Sequence, residues 1–160
     1  MAKEIERKFL MNLNHWPKNE KGLQYEQGYL AITKKGITRV RIKEDKSTLT
    51  IKSKGNGLSR HEFEYQIPTE DAKKLLHLCK NDIISKTRYK VMSNNKIWDV
   101  DEFHGKNKGL WIAEVELESE NQEIVLPKWV EKELGSNYFE RTLNLCNSLI
   151  NCSPIRKQKY

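Results

Sequence analysis

Hydrophobic and polar residues alternate with a period of two along most of the first 118 residues. Such alternation is typical of β-strands, because successive side chains point to opposite faces of a sheet. The pattern predicts eight strands: Lys3 to Leu10, Tyr25 to Thr33, Thr38 to Lys43, Thr48 to Lys54, Arg60 to Ile67, Ser85 to Val91, Lys96 to Phe103 and Leu110 to Glu118. Turn sequences such as Asn94-Asn95 separate several of them, which favours antiparallel pairing of neighbouring strands.

Three later segments show helical signals instead of alternation. The first opens at Pro68 and runs to about Lys80, the second runs from Pro127 to Leu134, and the third spans about Tyr138 to Ile150. The first and third place apolar residues on one stripe, so we expect helices that cover apolar sheet surface. We expect residues 1–152 to form a single domain and the basic tail, residues 153–160, to be frayed.

Composition indicates a folded, soluble chain with a positive charge. Among 160 residues, Lys and Arg number 29 and Asp and Glu 22, which gives a net charge of +7. No apolar run approaches the roughly 18 residues of a membrane span, and the start lacks the apolar region of a secretory signal, so we expect a cytoplasmic protein. The spacing of Cys79, Cys146 and Cys152 favours reduced thiols over disulfides or a zinc site.

Charged residues occupy one face of nearly every predicted strand, because they recur at positions i and i+2. The sets are Glu4, Glu6 and Lys8; Arg39 and Arg41; Lys52 and Lys54; Arg60, Glu62 and Glu64; Lys86 and Arg88; Asp99 and Asp101; and Glu114 and Glu116. For any one set, a solvent-facing side over an apolar core is the simpler interpretation. Across all strands, however, these positions are almost wholly ionisable, and some strands carry only cations and others only anions.

A closed barrel would turn this charged face inward. About eight antiparallel strands can close around side chains or one small ligand. Arginine binds phosphate oxygens in a fork, while carboxylates supply the oxygen ligands that Mg²⁺ and Mn²⁺ prefer. We therefore expect an α+β fold, with a closed eight-stranded antiparallel barrel forming a tunnel beside flanking helices, and phosphoryl chemistry inside that tunnel.

Eight motifs follow one another in order: EIERK at Glu4 to Lys8, QGYL at Gln27 to Leu30, RVRI at Arg39 to Ile42, LTIKSKG at Leu49 to Gly55, RHEFEY at Arg60 to Tyr65, KTRY at Lys86 to Tyr89, WDVDEF at Trp98 to Phe103 and AEVEL at Ala113 to Leu117. In order and spacing they resemble the CYTH, or triphosphate tunnel metalloenzyme, superfamily, whose hallmark is ExExK. The resemblance implies the same tunnel barrel and action on triphosphate compounds with a divalent metal. The EIERKFL opening looks most like bacterial inorganic triphosphatases, which hydrolyse tripolyphosphate to pyrophosphate and phosphate.

The resemblance also implies a role for each charged group. The substrate-binding cations would be Lys8, Arg39, Arg41, Lys52, Lys86 and Arg88, with Lys54 and Arg60 as further contributors. The acids that bind Mg²⁺ or Mn²⁺ or complete the acidic side would be Glu4, Glu6, Glu62, Glu64, Asp101, Glu114 and Glu116. Catalysis would rest on Glu4 and Glu6, which orient a water, and on Lys8 and Lys86, which stabilise the leaving oxyanion. Residues 136–139 depart from the basic, small-polar stretch that many members carry there.

Other functions stay open on the sequence alone. A class IV-type adenylate cyclase, or a hydrolase of nucleoside or thiamine triphosphates, would hold the phosphates in the same way. A non-catalytic polyphosphate-binding module would suit the charge of +7, although the clustered acids would repel phosphate unless a metal lies between them. We expect a small polyanionic substrate, no membrane or nucleic-acid partner and, by family habit, a homodimer.

Overall fold

The computed structural model describes residues 2–17, 21–55, 59–79 and 83–135. Within them lie nine strands: β1 (Ala2–Met11), β2 (Leu23–Ile32), β3 (Gly36–Lys43), β4 (Lys46–Ser53), β5 (Ser59–Ile67), β6 (Ile84–Ser93), β7 (Lys96–Phe103), β8 (Trp111–Glu116) and β9 (Val130–Leu134). One α-helix, α1 (Thr69–His77), follows β5. No helix in this part of the chain is long and apolar enough to cross a membrane.

The first eight strands form an antiparallel sheet that closes into a barrel. Their order is β5-β4-β3-β2-β6-β7-β8-β1, and β5 pairs back onto β1. On that same edge of β1, the first residues pair with β5 and the later ones with β9. The closed eight-stranded antiparallel barrel that the alternation predicted is therefore confirmed.

The hairpin between β6 and β7 shows why the predicted turn forms. Asn94 and Asn95 both have positive φ, 49° and 60°. Two successive residues of positive φ are the requirement of the two-residue turn whose twist matches that of paired strands, and asparagine tolerates this conformation better than most residues. The hairpin places the two strands in register from Lys86 opposite Phe103 to Ser93 opposite Lys96.

The main apolar clusters lie outside the barrel, on the face opposite the charged residues. Helix α1 packs Ala72 and Leu76 against Val40 of β3. The larger cluster covers the outer face of β1 and β6–β8 and contains all four tryptophans, Trp16, Trp98, Trp111 and Trp129. Burial of aromatic side chains on the outside thus holds the strands closed, while the charged side chains line the bore together with a smaller apolar cluster that includes Ile84, Phe103 and Ile112.

The helix predicted from Pro127 to Leu134 is wrong, because this segment contains strand β9 and no helix. Strand β5 pairs with only the first part of β1, and β9 supplies the hydrogen bonds for the remainder of that edge. Trp129 is meanwhile buried in the outer cluster. The first predicted helix is confirmed as α1, and the third, Tyr138 to Ile150, lies outside the described residues, as do Cys146, Cys152 and the predicted tail.

Candidate active site

A cavity of about 950 Å³ occupies the bore of the barrel. Alternate side chains of β1–β8 line it, so the charged face of the strands points inward. The lining contains eight cations, Lys8, Arg39, Arg41, Lys52, Lys86, Arg88, Lys90 and Lys96, and seven carboxylates, Glu4, Glu6, Glu62, Glu64, Asp99, Glu114 and Glu116. The geometry brings together groups that lie far apart in the sequence.

Asp101 anchors the cations of β6. Its carboxylate is fully buried and accepts hydrogen bonds from Lys86 Nζ and from Arg88 Nε and Nη2, each at 2.6 Å. Burial and repulsion by Arg88 outweigh the attraction of Asp101 and lower the pKa of Lys86 to about 8. Arg88 also contacts Asp99 and Glu114, and Asp101, followed by Glu114 and Asp99, keeps the pKa of Arg88 raised in spite of burial. Asp101 therefore acts as a support beneath two cations that point into the cavity.

Lys8 of β1 is held between carboxylates of β1 and β8. Its Nζ lies 2.5 Å from Glu114 Oε1 and 3.1 Å from Glu6 Oε1. Burial would lower the pKa of Lys8, but Glu114 and Glu6 raise it above its usual value. Burial would conversely raise the pKa of Glu114, which Lys8 and Arg88 lower well below its usual value. Both partners are therefore charged at neutral pH.

A second network joins β1, β4 and β5 across the closure of the barrel. Lys52 Nζ contacts both oxygens of Glu4, at 2.8 and 2.9 Å, and lies 2.9 Å from Glu62 Oε2. Arg60 donates from Nε to Glu4 at 3.0 Å and also contacts Glu6. The ion pairs that Glu4 makes connect residues 48 and 56 positions apart and fix the lining where the first and fifth strands meet.

The two arginines of β3 are incompletely paired. Arg41 pairs with Glu64 at 2.9 Å, and burial together with repulsion by Arg39 lowers its pKa. Arg39 is only 7% exposed and its guanidinium contacts Thr50 Oγ1 at 3.5 Å, while its Nε has no hydrogen-bond partner among the described residues. An arginine that is buried but incompletely paired has donors available for an anion.

Two further lining residues, Gln27 and Tyr29 of β2, were not in the predicted site. Both share the face of the charged positions, since they lie opposite Arg41 and Arg39 in the strand register. The QGYL motif contained the signal, because its first and third residues have the spacing of one strand face. Neither residue is charged, so a search for ionisable pairs passes over them.

The remaining predicted site residues differ in whether they line the cavity. Lys54 is exposed and does not line the cavity. Arg60 and Asp101 lie behind the lining and contact it through Glu4, Glu6, Lys86 and Arg88. The other predicted residues all line the cavity. Lys90 and Lys96, which were not among the predicted site residues, line it too.

Comparison with known proteins gives the family. A family model described as the CYTH domain matches residues 2–143. The chain belongs to the CYTH domain family. An inorganic triphosphatase of Acetivibrio thermocellus is 43% identical over 135 residues, which cover 84% of this chain and 86% of the relative. An inorganic triphosphatase of Nitrosomonas europaea is 34% identical over 136 residues, with 82% and 88% covered.

Solved structures agree with the fold of this CYTH domain. A crystal structure of an inorganic triphosphatase superposes with a TM-score of 0.64 and 29% sequence identity, and the match covers 91% of this chain and 98% of the other. The tunnel architecture and the family assignment thus rest on independent comparisons of sequence and of backbone geometry.

The carboxylates of this CYTH tunnel form no cluster of three or more metal-ligating groups among the described residues. Glu6 and Glu116 nevertheless lie directly opposite each other on β1 and β8, and Glu6 already contacts the cations Lys8 and Arg60. Glu116 is exposed to the cavity. Magnesium commonly binds to one or two carboxylates and completes its coordination with water and substrate phosphates. The donor set therefore fits a metal that arrives with the substrate.

Proposed function

We propose that this CYTH protein hydrolyses inorganic triphosphate to pyrophosphate and phosphate, with Mg²⁺ or Mn²⁺ as cofactor. The observation that carries the proposal is the convergence of Lys8, Arg39, Arg41, Lys52, Lys86 and Arg88 on a single cavity of about 950 Å³. A small, highly charged anion matches that cavity better than an apolar ligand does. The relatives at 43% and 34% identity, both inorganic triphosphatases, support the same substrate.

The balance of charge supports metal dependence. Eight cations against seven carboxylates leave the lining only one positive charge in excess. A triphosphate brings several negative charges, so its binding needs more positive charge than the lining supplies. Glu6 and Glu116 would hold a divalent cation, which would offset charge on the phosphate oxygens.

The reaction would be an in-line displacement at a terminal phosphorus by water. Arg39 and Arg41 would bind the phosphate oxygens, and Lys8, whose pKa is raised, would stay charged throughout. Lys86 would stabilise the oxyanion of the leaving group, since it is charged below pH 8 and lies in a buried site where its field is strong. Glu4 and Glu6 would orient the attacking water.

A substrate panel tests the proposal directly. The purified protein is incubated with tripolyphosphate, pyrophosphate, ATP or thiamine triphosphate in Mg²⁺, Mn²⁺, Ca²⁺ or EDTA, and released phosphate is measured with malachite green. We expect the highest kcat/KM for tripolyphosphate with Mg²⁺ or Mn²⁺ and no turnover in EDTA. Equal turnover with and without EDTA would contradict the metal assignment.

Two variants with matched controls test the site. Arg41→Ala and Glu116→Gln should each lower kcat/KM for tripolyphosphate by about 100-fold or more, because Arg41 would bind the phosphate oxygens and Glu116 would hold the metal ion. The controls are Arg7→Ala on the outer face of β1, where Arg7 pairs with Glu133, and Glu131→Gln on the exposed part of β9. Near-normal rates in either site variant would refute the proposed site.

Product analysis separates the remaining alternatives. A cyclase would convert ATP to cyclic AMP, which chromatography distinguishes from ADP and phosphate. A non-catalytic binder would retain tripolyphosphate in EDTA and release no phosphate under any condition. Either result would replace hydrolysis of inorganic triphosphate as the function.

A further inference from the structure

The two edges of strand β5 are paired over different lengths. On one edge, residues 62–67 lie opposite residues 47–52 of β4. On the other edge, residues 59–62 lie opposite residues 2–5 of β1, and the pairing ends there. Within the described part of the chain, residues 63–67 therefore have no strand along this second edge. Such an edge presents unpaired backbone N–H and C=O groups, which form a template for another strand.

The outer face of this free half-strand is apolar and uncovered. Phe63 is 37% exposed and Tyr65 is 55% exposed. Ile51 of β4, which lies opposite Phe63, is 41% exposed. The cluster beneath α1 includes Ile67 at the end of β5 and leaves these three side chains in contact with solvent. An open edge and an exposed apolar face thus coincide on residues 63–67, which is typical of a surface that binds another chain.

This edge lacks the features that usually block pairing between molecules. Exposed edges commonly carry lysine, proline or a bulge. Residues 63–67 read FEYQI and contain neither lysine nor proline, and their register with β4 is regular. The one charged residue in this stretch is Glu64, which lines the cavity and pairs with Arg41 at 2.9 Å. The edge is therefore free to accept a partner strand.

The sequence of the edge is complementary to itself. In antiparallel pairing about a two-fold axis, opposite residues must lie on the same face of the joint sheet, so one residue lies at the axis. With Glu64 at the axis, two carboxylates would lie directly opposite each other, which is unfavourable. With Gln66 at the axis, Glu64 would lie opposite Pro68, which has no N–H to donate. With Tyr65 at the axis, apolar residues meet apolar residues and Glu64 meets Gln66.

We infer that a second copy of this chain binds along this edge, so that two barrels join by antiparallel pairing of their β5 strands centred on Tyr65. Phe63 then lies opposite the partner's Ile67, and Tyr65 lies opposite the partner's Tyr65. The interface goes beyond the proposed function but borders its site, because the partner's Gln66 lies opposite Glu64, a residue of the cavity lining. Each protomer thus places a residue beside the tunnel of the other.

The oligomeric state of the purified protein tests the inference. Sedimentation equilibrium over a series of protein concentrations should show a dimer for the wild type. Tyr65→Lys and Tyr65→Glu each place two like charges opposite each other at the axis, so each should raise the dissociation constant of the dimer by about 100-fold or more. The matched control is Val125→Lys, which adds the same charge at an apolar position that is 70% exposed and should leave the dimer unchanged.

An equimolar mixture of Tyr65→Lys and Tyr65→Glu tests the register. Residue 65 lies opposite itself only when the pairing is centred there, so the mixture should form a dimer that neither variant forms alone. Tyr65→Cys gives a second measurement, because opposite Cα atoms in antiparallel strands lie about 4.5–5.5 Å apart, within the span of a disulfide. Mild oxidation should therefore link two subunits of Tyr65→Cys covalently, and Val125→Cys should stay unlinked.

A wild type that remains monomeric at every concentration would overturn the inference. A dimer that Tyr65→Lys does not weaken, or a mixture that stays monomeric, would do the same. Thermal unfolding shows whether the variants fold, and if a charged variant does not, the Tyr65→Cys disulfide decides: its formation supports the interface and its absence overturns it. None of these measurements depends on hydrolysis, so the interface and the proposed function can fail separately.

Discussion

Removal of the Asp101 carboxylate gives the sharpest test of how the tunnel is held together. Asp101→Asn keeps the size of the side chain but removes the charge that supports Lys86 and Arg88. Three hydrogen bonds of 2.6 Å end on this carboxylate, which has no exposed surface. Loss of one partner from a buried ion pair leaves the other charge uncompensated.

The expected loss follows from this geometry. Breaking a buried pair on one side typically costs about 3–5 kcal/mol in free energy of unfolding. Lys86 can relieve part of the strain by losing its proton, because its pKa is already lowered to about 8 and Asp101 was raising it. We therefore expect a loss of about 3 kcal/mol, which lowers the melting temperature by about 6–12 °C in a domain of this size.

Thermal unfolding followed by circular dichroism measures this loss at pH 7. The control is Asp99→Asn, because Asp99 pairs with Arg88 and Lys90 but is partly exposed, so its replacement should cost about 1 kcal/mol or less. Added tripolyphosphate should restore part of the stability of Asp101→Asn, since it binds only the folded protein. A melting temperature within about 2 °C of the wild type, or no lower than that of Asp99→Asn, would refute the assignment of Asp101 as the support of the tunnel cations.

Two other predictions concern the pH profile and the outer cluster. Lys86 is protonated below and neutral above its lowered pKa of about 8, so kcat/KM for tripolyphosphate should fall as pH rises through 8. Lys86→Arg should abolish this fall. A fall that persists in the variant would show that another group causes the pH dependence. Trp129→Ala should lower the free energy of unfolding by about 3–5 kcal/mol in urea titration, because the ring is 5% exposed and packs on Trp16 and Trp98. Leu126→Ala, at an exposed position, should change it by less than about 0.5 kcal/mol, and equal effects of the two would contradict this account of the cluster.

The strands could be predicted because their alternation is a local property that the structure preserves. The conformation of the segment from Pro127 to Leu134 could not be predicted, because it depends on pairing with a strand that is distant in the sequence. Strand β1 has an edge that β5 leaves partly unpaired, and β9 satisfies those backbone groups. Nothing within the segment itself shows that such an edge exists 120 residues earlier.

The site could be predicted as a set of charges but not as a set of contacts. Parity along each strand is enough to place Asp99 and Asp101 on the same face. Whether a carboxylate reaches the cavity or lies beneath it depends on how the strands are staggered, and Asp101 alone of the two is fully buried. The same stagger, which no single strand encodes, puts Gln27 beside Arg41.

The position of β1 between β5 and β8 has a consequence for biosynthesis. This strand leaves the ribosome well before its partner β8, which begins at Trp111, about 100 residues later. At about 5–20 residues per second, the nascent strand waits for roughly 5–20 s before both neighbours exist. Its charged side chains keep it solvated during this delay, so the residues proposed to serve the tunnel would also protect the growing chain from premature aggregation.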